Sequence, residues 1–514
     1  MSMGPIEVGT ASLTRDEVVA VARHGAPVTI PASAETAMAA SRAQVDALAA
    51  SEVAVYGIST GFGALANRHI EPTRRRDLQR SLIRSHAAGM GPVVEDEVTR
   101  ALMLLRLRTL TSGRTGVRPA LAHVLAGLLN AGLTPLVREY GSLGCSGDLA
   151  PLSHVALALM GEGDVRTAVG DVVPAGAAMH AVGVEPIELV EKEGLALING
   201  TDGMLGMLLL ALHDLDVMVR TADITASMSV EALLGTDRAF LSELMNLRPH
   251  PGQAAAAANM MAMLAGSPIV ASHLEGDSRV QDAYSLRCAP QVHGAARDTF
   301  AYAATVADRE LGSAIDNPVV LPDGRVSSNG NFHGAPVAYV LDFCAIAVAD
   351  LASIAERRTD RLLDRSRSFG LPPFLADDAG VDSGMMIAQY TQAALVHECK
   401  RLAVPSSVDS IPSSAMQEDH VSMGWSAARK LRLAVDNLAR VLAIELVCSA
   451  RALDLRAPLL AAAGTAAART RLRADVAGPG PDRFLSPELE SAYTLIRHGD
   501  IAAAVEDVVG PLHR

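Results

Sequence analysis

The stretch LRLAVDNLARVL, residues 431–442, carries the pattern that decides the fold class. Its apolar residues Leu431, Val435, Leu438 and Leu442 follow one another at steps of four, three and four. This spacing places them on one face of an α-helix of at least about three turns. A long helix with one apolar face is typical of a helical bundle, so the stretch predicts a mainly α-helical protein.

Two other stretches predict long helices of the same kind. DEVTRALMLLRLRTLTSG (96–113) begins with acids and ends at Gly113, as a capped helix should. PVAYVLDFCAIAVADLASIAERR (336–358) is similarly long and apolar. We therefore predict two domains: a mixed N-terminal subdomain over residues 1–113 and a helical-bundle domain over residues 114–514.

Two less regular stretches complete the predicted organisation. SEVAVYGISTGFGALANRHI (51–70) predicts a short strand from Val53 to Tyr56 that enters a glycine-rich loop. AGPGPDRF (477–484) predicts a loop before a small C-terminal piece.

The composition indicates a large helical protein. Of 514 residues 49% are hydrophobic, which is enough for a sizeable core. Only 3% are aromatic. The net charge of −13 argues against binding to nucleic acid or to anionic membranes. We expect no transmembrane helix and no secretory signal. The five cysteines form no CxxC pair, which favours a reducing cytoplasm.

Lysine is rare in this chain. The only lysines are Lys192, Lys400 and Lys430, among 44 basic residues. An enzyme that uses pyridoxal phosphate (PLP) needs a lysine to hold it, so this count argues against such an enzyme.

The stretch GSLGCSGDLAPLSH (141–154) carries the chemistry-bearing residues, and its local pattern leaves several interpretations open. A hydrolase elbow would need the pattern G-x-S-x-G, which this stretch does not have. A phosphate loop would need a lysine, and none lies in this stretch. A nucleophilic thiolate at Cys145 would need a nearby base, and His154 is nine residues away. The plainest alternative is a tight turn with Asp148 capping the next helix.

The same stretch resembles the signature of the aromatic amino-acid ammonia-lyases. Seven further stretches resemble that family in order along nearly the whole chain. They are VYGISTGFGALA (55–66), RSHAAGMG (84–91), EGLALINGTDGM (193–204), RVQDAYSLRCAPQVHGAARD (279–298), IDNPVV (315–320), SNGNFHGAP (328–336) and VDSIPSSAMQEDHVSMG (408–424). The resemblance implies a fumarase/aspartase-like fold, an elongated bundle of long helices.

Five positions depart from the usual family pattern. Ser59 and Met416 stand where asparagine is common, Asp202 where glutamine is, and Ala283 where proline is frequent. Cys145 replaces an alanine, and we expect its thiol to be a bystander.

The resemblance implies a cofactor made from the chain itself. In the family this tripeptide, here Cys145, Ser146 and Gly147, cyclises autocatalytically to 4-methylideneimidazol-5-one (MIO). Ser146 supplies the methylene carbon, and Gly147 lacks a Cβ, so its nitrogen can approach the Cys145 carbonyl closely. We expect neither a metal nor PLP.

The resemblance also implies the roles of the site residues. Tyr56 is expected to remove the β-proton, which requires a lowered pKa and hence nearby cationic or dipolar groups. Tyr284 is expected to handle protons at the cofactor. The residues expected to bind substrate are His86, Asn199, Gln281, Arg287, Phe332 and Glu418.

His86 and Glu418 indicate which amino acid is the substrate. An imidazole has two ring nitrogens that need partners when buried, and a histidine and a carboxylate can supply them. The implied reaction converts L-histidine to trans-urocanate and ammonia in a homotetramer with shared active sites. The alternatives are an aminomutase with the same electrophile, a tyrosine or phenylalanine ammonia-lyase, and a non-catalytic helical scaffold.

Overall fold

The computed structural model describes residues 4–51, 55–65, 67–145, 147–277 and 279–514. Helices dominate this part of the chain, which confirms the predicted mainly α-helical class. The helices are α1 (Arg15–His24), α2 (Ala32–Ala49), α3 (Arg75–His86), α4 (Asp96–Thr111), α5 (Pro119–Asn130), α6 (Leu149–Leu159), α7 (Ala175–Ala181), α8 (Glu193–Ile198), α9 (Asp202–Ala232), α10 (Ser242–Asn246), α11 (Pro251–Leu264), α12 (Pro268–Ala271), α13 (Tyr284–Arg287), α14 (Ala289–Leu311), α15 (Ala335–Leu363), α16 (Met386–Leu402), α17 (Gly424–Asp454), α18 (Ala463–Arg473), α19 (Ser486–Arg497) and α20 (Asp500–Val509).

The strands are short and form four small sheets. They are β1 (Ile6–Glu7), β2 (Val28–Thr29), β3 (Met90–Val93), β4 (Thr134–Pro135), β5 (Arg138–Tyr140), β6 (Asp164–Arg166), β7 (Val172–Pro174), β8 (Val319–Val320) and β9 (Val326–Ser327). β1 and β2 pair in parallel, whereas β3–β5, β4–β6–β7 and β8–β9 are antiparallel. In the β6–β7 pair Val165 lies opposite Val173.

The chain folds into two compact units, each built from three segments. The first unit comprises Met1–Leu210, Ala304–Leu341 and Pro405–Arg429, and contains all nine strands listed above. The second unit comprises the remaining ranges, Ala211–Ala303, Asp342–Val404 and Lys430–Arg514. The predicted boundary at Gly113 falls inside the first unit and stays a prediction about a subdomain within it.

The strand predicted from Val53 to Tyr56 is wrong where the structure describes it. Val53 lies outside the described residues, whereas Val55 and Tyr56 belong to a loop and a turn. The Val55 amide donates to Ser59 Oγ at 2.9 Å, and the Val55 carbonyl accepts from the amides of Ile58 and Ser59. These local bonds replace the ladder bonds that a strand would need.

Helix α4 confirms its predicted start and end and forms the centre of the first unit. It begins at Asp96, and Gly113 follows its end with a φ of 71°. Every residue from Val98 to Thr111 is buried, including three arginines. Buried arginines need hydrogen-bond acceptors, and these turn out to be largely backbone carbonyls.

The apolar face that decided the fold class is buried as predicted. Leu431, Val435, Leu438 and Leu442 are each at most 1% exposed within the 31-residue helix α17. The loop predicted at 477–484 is also present. Helix α15 is long and apolar enough to cross a membrane by length and composition alone, but 61% of its most apolar window is buried inside the protein.

Asp148 has a different role from the predicted cap of its own helix. Its carboxylate makes no capping bond to α6 but accepts from the amides of Gly203 and Met204, at 2.8 and 3.0 Å, in the first turn of α9. Ser142 Oγ donates to the same carboxylate at 2.8 Å. Burial raises the pKa of Asp148 to about 7 despite these donors. Asp148 therefore ties the 141–148 loop to the start of α9.

Candidate active site

A cavity of about 830 Å³ in the first unit contains five of the predicted site residues: Tyr56, His86, Asn199, Phe332 and Glu418. Its walls also include the apolar residues Phe62, Leu65, Ile70, Leu78, Leu82, Leu149, Leu195 and Ile198. A mostly apolar cavity with a few converging polar groups is the usual form of a small-molecule site.

Tyr56 lies in the loop after the undescribed segment 52–54. Its hydroxyl accepts a hydrogen bond from the Gly63 amide at 3.3 Å, and its ring meets Phe62 edge-on. Burial raises the pKa of Tyr56, and the charges of Glu418 and Asp316 raise it further, while the Gly63 amide lowers it. The first unit therefore does not supply the lowered pKa that the predicted base role requires.

His86 is the last residue of α3 and is partly buried. Its Nδ1 atom lies 3.0 Å from Ser85 Oγ. Burial lowers the pKa of His86, although a backbone contact with Leu82 and the charge of Glu418 act in the opposite direction. The net effect favours the neutral imidazole, which has one donor and one acceptor nitrogen.

Two donors among the described residues meet on one carboxylate oxygen of Glu418. Its Oε2 accepts from Ser413 Oγ at 2.8 Å and from Cys145 Sγ at 3.3 Å. Backbone bonds between Ser413 and Glu418 fix the same turn. The Cys145 thiol therefore contacts the Glu418 carboxylate directly, and its predicted bystander role in the chemistry stays a prediction.

Asn199 follows the end of α8 and presents one unsatisfied atom. Its Nδ2 donates to the Asn317 carbonyl at 3.0 Å. Its Oδ1 is buried and has no hydrogen-bond partner among the described residues. Because a buried acceptor without a partner is costly, this atom is suited to receive an N–H from a bound group.

The third residue of the tripeptide occupies a position that only glycine can fill. Gly147 has a φ of 84°, and a Cβ added to it would overlap the backbone of Gly200. The two glycines form a parallel bridge, and the Asp148 amide donates to the Gly200 carbonyl at 2.7 Å. Ser146 lies outside the described residues. The tight setting of Gly147 and the open acceptor of Asn199 fit the MIO group.

Gln281, Tyr284 and Arg287 belong to the second unit, whereas the described lining of the cavity comes from the first. Tyr284 begins α13 and is 72% exposed, and Gln281 is also exposed. The Arg287 guanidinium lies 4.7 Å from the centre of the Tyr284 ring and donates to the Asp282 carbonyl at 2.9 Å. The structure therefore places these three predicted residues in the second unit, with Arg287 over the Tyr284 ring.

Two residues of the site have contacts that sequence reasoning missed. Asn317 lines the cavity and also accepts from the Asn329 amide at 3.0 Å, while Ser413 orients Glu418. Both lie in stretches, 315–320 and 408–424, that carried the family resemblance, and this was the available signal. No group of three or more metal-ligating side chains lies together among the described residues.

The match to known families covers most of the chain. The pattern of the aromatic amino acid lyase family matches residues 13–474. The histidine ammonia-lyase of Streptomyces avermitilis is 66% identical over 511 residues, with 99% of this chain and 100% of the relative covered. The histidine ammonia-lyase of Streptomyces griseus is 66% identical over 513 residues with the same coverage.

Solved structures show the same fold. A tyrosine aminomutase from Streptomyces globisporus superimposes with a TM-score of 0.93 at 37% identity, covering 98% of this chain and 99% of that one. The histidine ammonia-lyase of Trypanosoma cruzi gives 0.90 at 38% identity, covering 98% and 95%. Sequence, fold and cavity agree, and the chain belongs to the aromatic amino acid lyase family.

Proposed function

We propose that this chain catalyses the non-oxidative deamination of L-histidine to trans-urocanate and ammonia, the activity of a histidine ammonia-lyase and the first step of histidine degradation. Membership of the family makes the chain a carbon–nitrogen lyase. The relatives that are 66% identical over their full length carry the name of this activity, which supports histidine as the substrate.

The observation that carries the proposal is the pairing of His86 with Glu418 in one cavity. A substrate imidazole between them would find a partner for each ring nitrogen, and a hydrogen bond to a charged group contributes about 1.5–3 kcal/mol. A phenyl ring would leave the Glu418 carboxylate desolvated and without a ligand partner. The expected result is a preference of about 10-fold or more for histidine.

The proposed cofactor is MIO, formed from Cys145, Ser146 and Gly147. When present, MIO supplies an electrophile that makes the substrate amine a good leaving group. The residues that would hold it are Gly147, in its glycine-only position, and Asn199, whose Oδ1 needs a donor.

Tyr56 is proposed to take the β-proton, a role in which a positioned base contributes about 10²–10⁴-fold. Because the first unit raises the pKa of Tyr56, the role needs a cation from another source. Arg287 is proposed to bind the substrate carboxylate in a bidentate fork, and Phe332 to pack beside the ring. Gln281 is proposed to hold the amine and Tyr284 to transfer protons at the cofactor.

We propose a homotetramer in which a neighbouring copy supplies Gln281, Tyr284 and Arg287 to the cavity. Their place outside the first unit and the 72% exposure of Tyr284 support this arrangement. A symmetric oligomer with shared sites would bring a cation close to Tyr56. We place the enzyme in the cytoplasm, where its five free cysteines would stay reduced.

The proposal is tested by incubating the purified protein with L-histidine and measuring the near-ultraviolet absorbance of the mixture over time. Urocanate absorbs there, whereas the β-amino acid product of an aminomutase does not, so the fold shared with the tyrosine aminomutase is tested at the same time. We expect Ser146→Ala to abolish turnover and to leave the helical circular-dichroism spectrum unchanged. Near-normal activity of this variant would overturn the proposed mechanism.

A further inference from the structure

Arg106 is a fully buried cation at the centre of α4, behind the loop that ends α8. Its side chain is 0% exposed and is ion-paired with Asp202, with Arg106 Nε 3.1 Å from the Asp202 Oδ2 atom. It also donates to three backbone carbonyls: Ala196 at 2.9 Å, Asn199 at 3.3 Å and Ile315 at 3.4 Å. One guanidinium thus joins the end of α8, the start of α9 and the segment before Asn317.

Gly200 lies between this guanidinium and the tripeptide. A Cβ added to Gly200 would overlap the Arg106 guanidinium, and a Cβ added to Gly147 would overlap the Gly200 backbone. The Gly200 carbonyl is fixed in turn by the Asp148 amide. Arg106, Gly200 and Gly147 therefore form three layers in direct contact, and the position of Arg106 limits how far Gly200 can retreat from Gly147.

The carboxylate at position 202 supplies the counter-charge of Arg106. A buried arginine that meets only carbonyls carries an uncompensated charge, whereas Asp202 neutralises it and fixes its orientation. Asp202 is one of the positions at which this chain departs from the common family pattern. The Arg106–Asp202 pair therefore involves a residue that departs from that pattern.

We propose that the Arg106–Asp202 pair positions Gly147 for the ring closure that makes MIO. This inference rests on the proposed function, since it concerns the origin of the proposed cofactor. Arg106 would be a positioning residue that acts through Gly200, with no contact to substrate. A rigid Gly200 keeps the Gly147 amide nitrogen close to the carbonyl it must attack.

The closure balances without an oxidant or reductant. A bond forms between the Gly147 nitrogen and the Cys145 carbonyl carbon. The carbonyl oxygen leaves as water with the two amide hydrogens of Gly147 and Ser146, as a carbon–nitrogen double bond forms. The Ser146 hydroxyl leaves as a second water with the α-hydrogen of Ser146. A finished chain is therefore lighter by two waters, which a mass measurement detects without any assay of activity.

The test is the intact mass of Arg106→Gln beside the wild-type protein, with circular dichroism to confirm folding. Misplacement of reacting groups by about 1 Å can cost about 10²-fold in rate. We therefore expect Arg106→Gln chains to fold but to be mainly linear, that is, uncyclised at residues 145–147, after purification. On further incubation they should lose the two waters slowly. Arg106→Gln chains that are all lighter by two waters would overturn the inference.

Arg100→Gln is the matched control. Arg100 is a buried arginine on the same helix, and it also holds backbone carbonyls, those of Val21 and Leu129. Because it binds, within the described part of the chain, these carbonyls and not the 199–202 segment that holds Gly200, Arg100→Gln chains should lose both waters normally. If both variants stay linear, the effect is a general folding defect and the inference is wrong.

Two further variants keep the test decisive if Arg106→Gln does not fold. Arg106→Lys keeps the charge but cannot reach all four acceptors, so it should mature at an intermediate rate. Asp202→Asn keeps the shape but removes the neutralising charge, and it should also mature slowly; normal maturation of both would overturn the inference. A wild-type chain that is itself linear would instead overturn the proposed function.

Discussion

At the scale of single residues, two donors from the described part of the chain meet on one oxygen of Glu418 and help to orient it. The hydroxyl of Ser413 and the thiol of Cys145 both bind Oε2. A thiol is a weak donor, so the Ser413 bond is the stronger of the two. The Cys145 thiol therefore contributes to the orientation of the Glu418 carboxylate.

We expect Cys145→Ala to form MIO and to keep most of its turnover rate. Loss of the thiol contact should raise the KM for histidine by about fivefold, since one modest hydrogen bond contributes about 1 kcal/mol. Steady-state kinetics of the wild-type protein and of Cys145→Ala measure the changes in KM and kcat separately. A complete loss of activity in a protein that still lacks two waters would contradict it and would point to a reactive thiol.

The pKa of Tyr56 gives a second expectation at this scale. The Glu418 charge raises that pKa, so Glu418→Gln should lower it. If deprotonated Tyr56 is the base, kcat/KM rises with pH through the pKa of Tyr56, and in Glu418→Gln this rise should begin at lower pH. The comparison is between pH profiles of kcat/KM, and it holds even if the variant binds histidine poorly. An unchanged profile would argue against Tyr56 as the base.

Sequence motifs predicted residues that line one cavity, but they did not predict the surroundings of those residues. The family motifs placed five predicted residues in one cavity. The raised pKa of Tyr56 and the thiol bond to Glu418 were missed, because each depends on burial and on contacts between distant segments. The same is true of Arg106, which the sequence shows only as one more arginine in a helix.

At the scale of elements, hydrophobic periodicity predicted the long helices correctly, because this periodicity reports the burial of one helix face. All four residues of the 431–442 pattern are buried in α17. The strand predicted from Val53 failed in its described part because a side-chain oxygen, Ser59 Oγ, satisfies the local backbone. Such a bond has no signal in hydrophobic patterning.

Helix α17 allows a direct test of its buried face. Leu438→Ala removes a fully buried side chain and should lower the free energy of unfolding by about 2–5 kcal/mol. Leu433 lies on the same helix but is 50% exposed, so Leu433→Ala should change the free energy of unfolding by at most about 0.5 kcal/mol. Denaturant titration measures both. Equal losses would contradict the assignment of the face.

At the scale of the whole molecule, the residues proposed for the site come from both units of the fold. The residues proposed to bind the substrate ring lie in the first unit, and those proposed to bind its carboxylate and amine lie mainly in the second. Sequence motifs place both sets in one family site but cannot say which copy of the chain supplies each. That division can be tested with two inactive variants.

We expect Tyr56→Phe and Tyr284→Phe each to be nearly inactive alone. If each site takes Tyr56 from one copy and Tyr284 from another, random mixed tetramers made by co-expression should recover about a quarter of wild-type activity. Activity of the mixture that does not exceed that of the separate variants would show that both tyrosines come from one copy.

The buried ion pair of Arg106 and Asp202 also restricts how this enzyme can change over evolutionary time. Replacing either partner alone removes the buried counter-charge of the other, which costs stability and loosens the contact with Gly200. A lineage that exchanges the aspartate for the more usual glutamine would therefore alter position 106 in the same step or pass through an ancestor that makes its cofactor slowly. The two positions should be inherited together, and grafting one of them into a relative should succeed only when the other accompanies it.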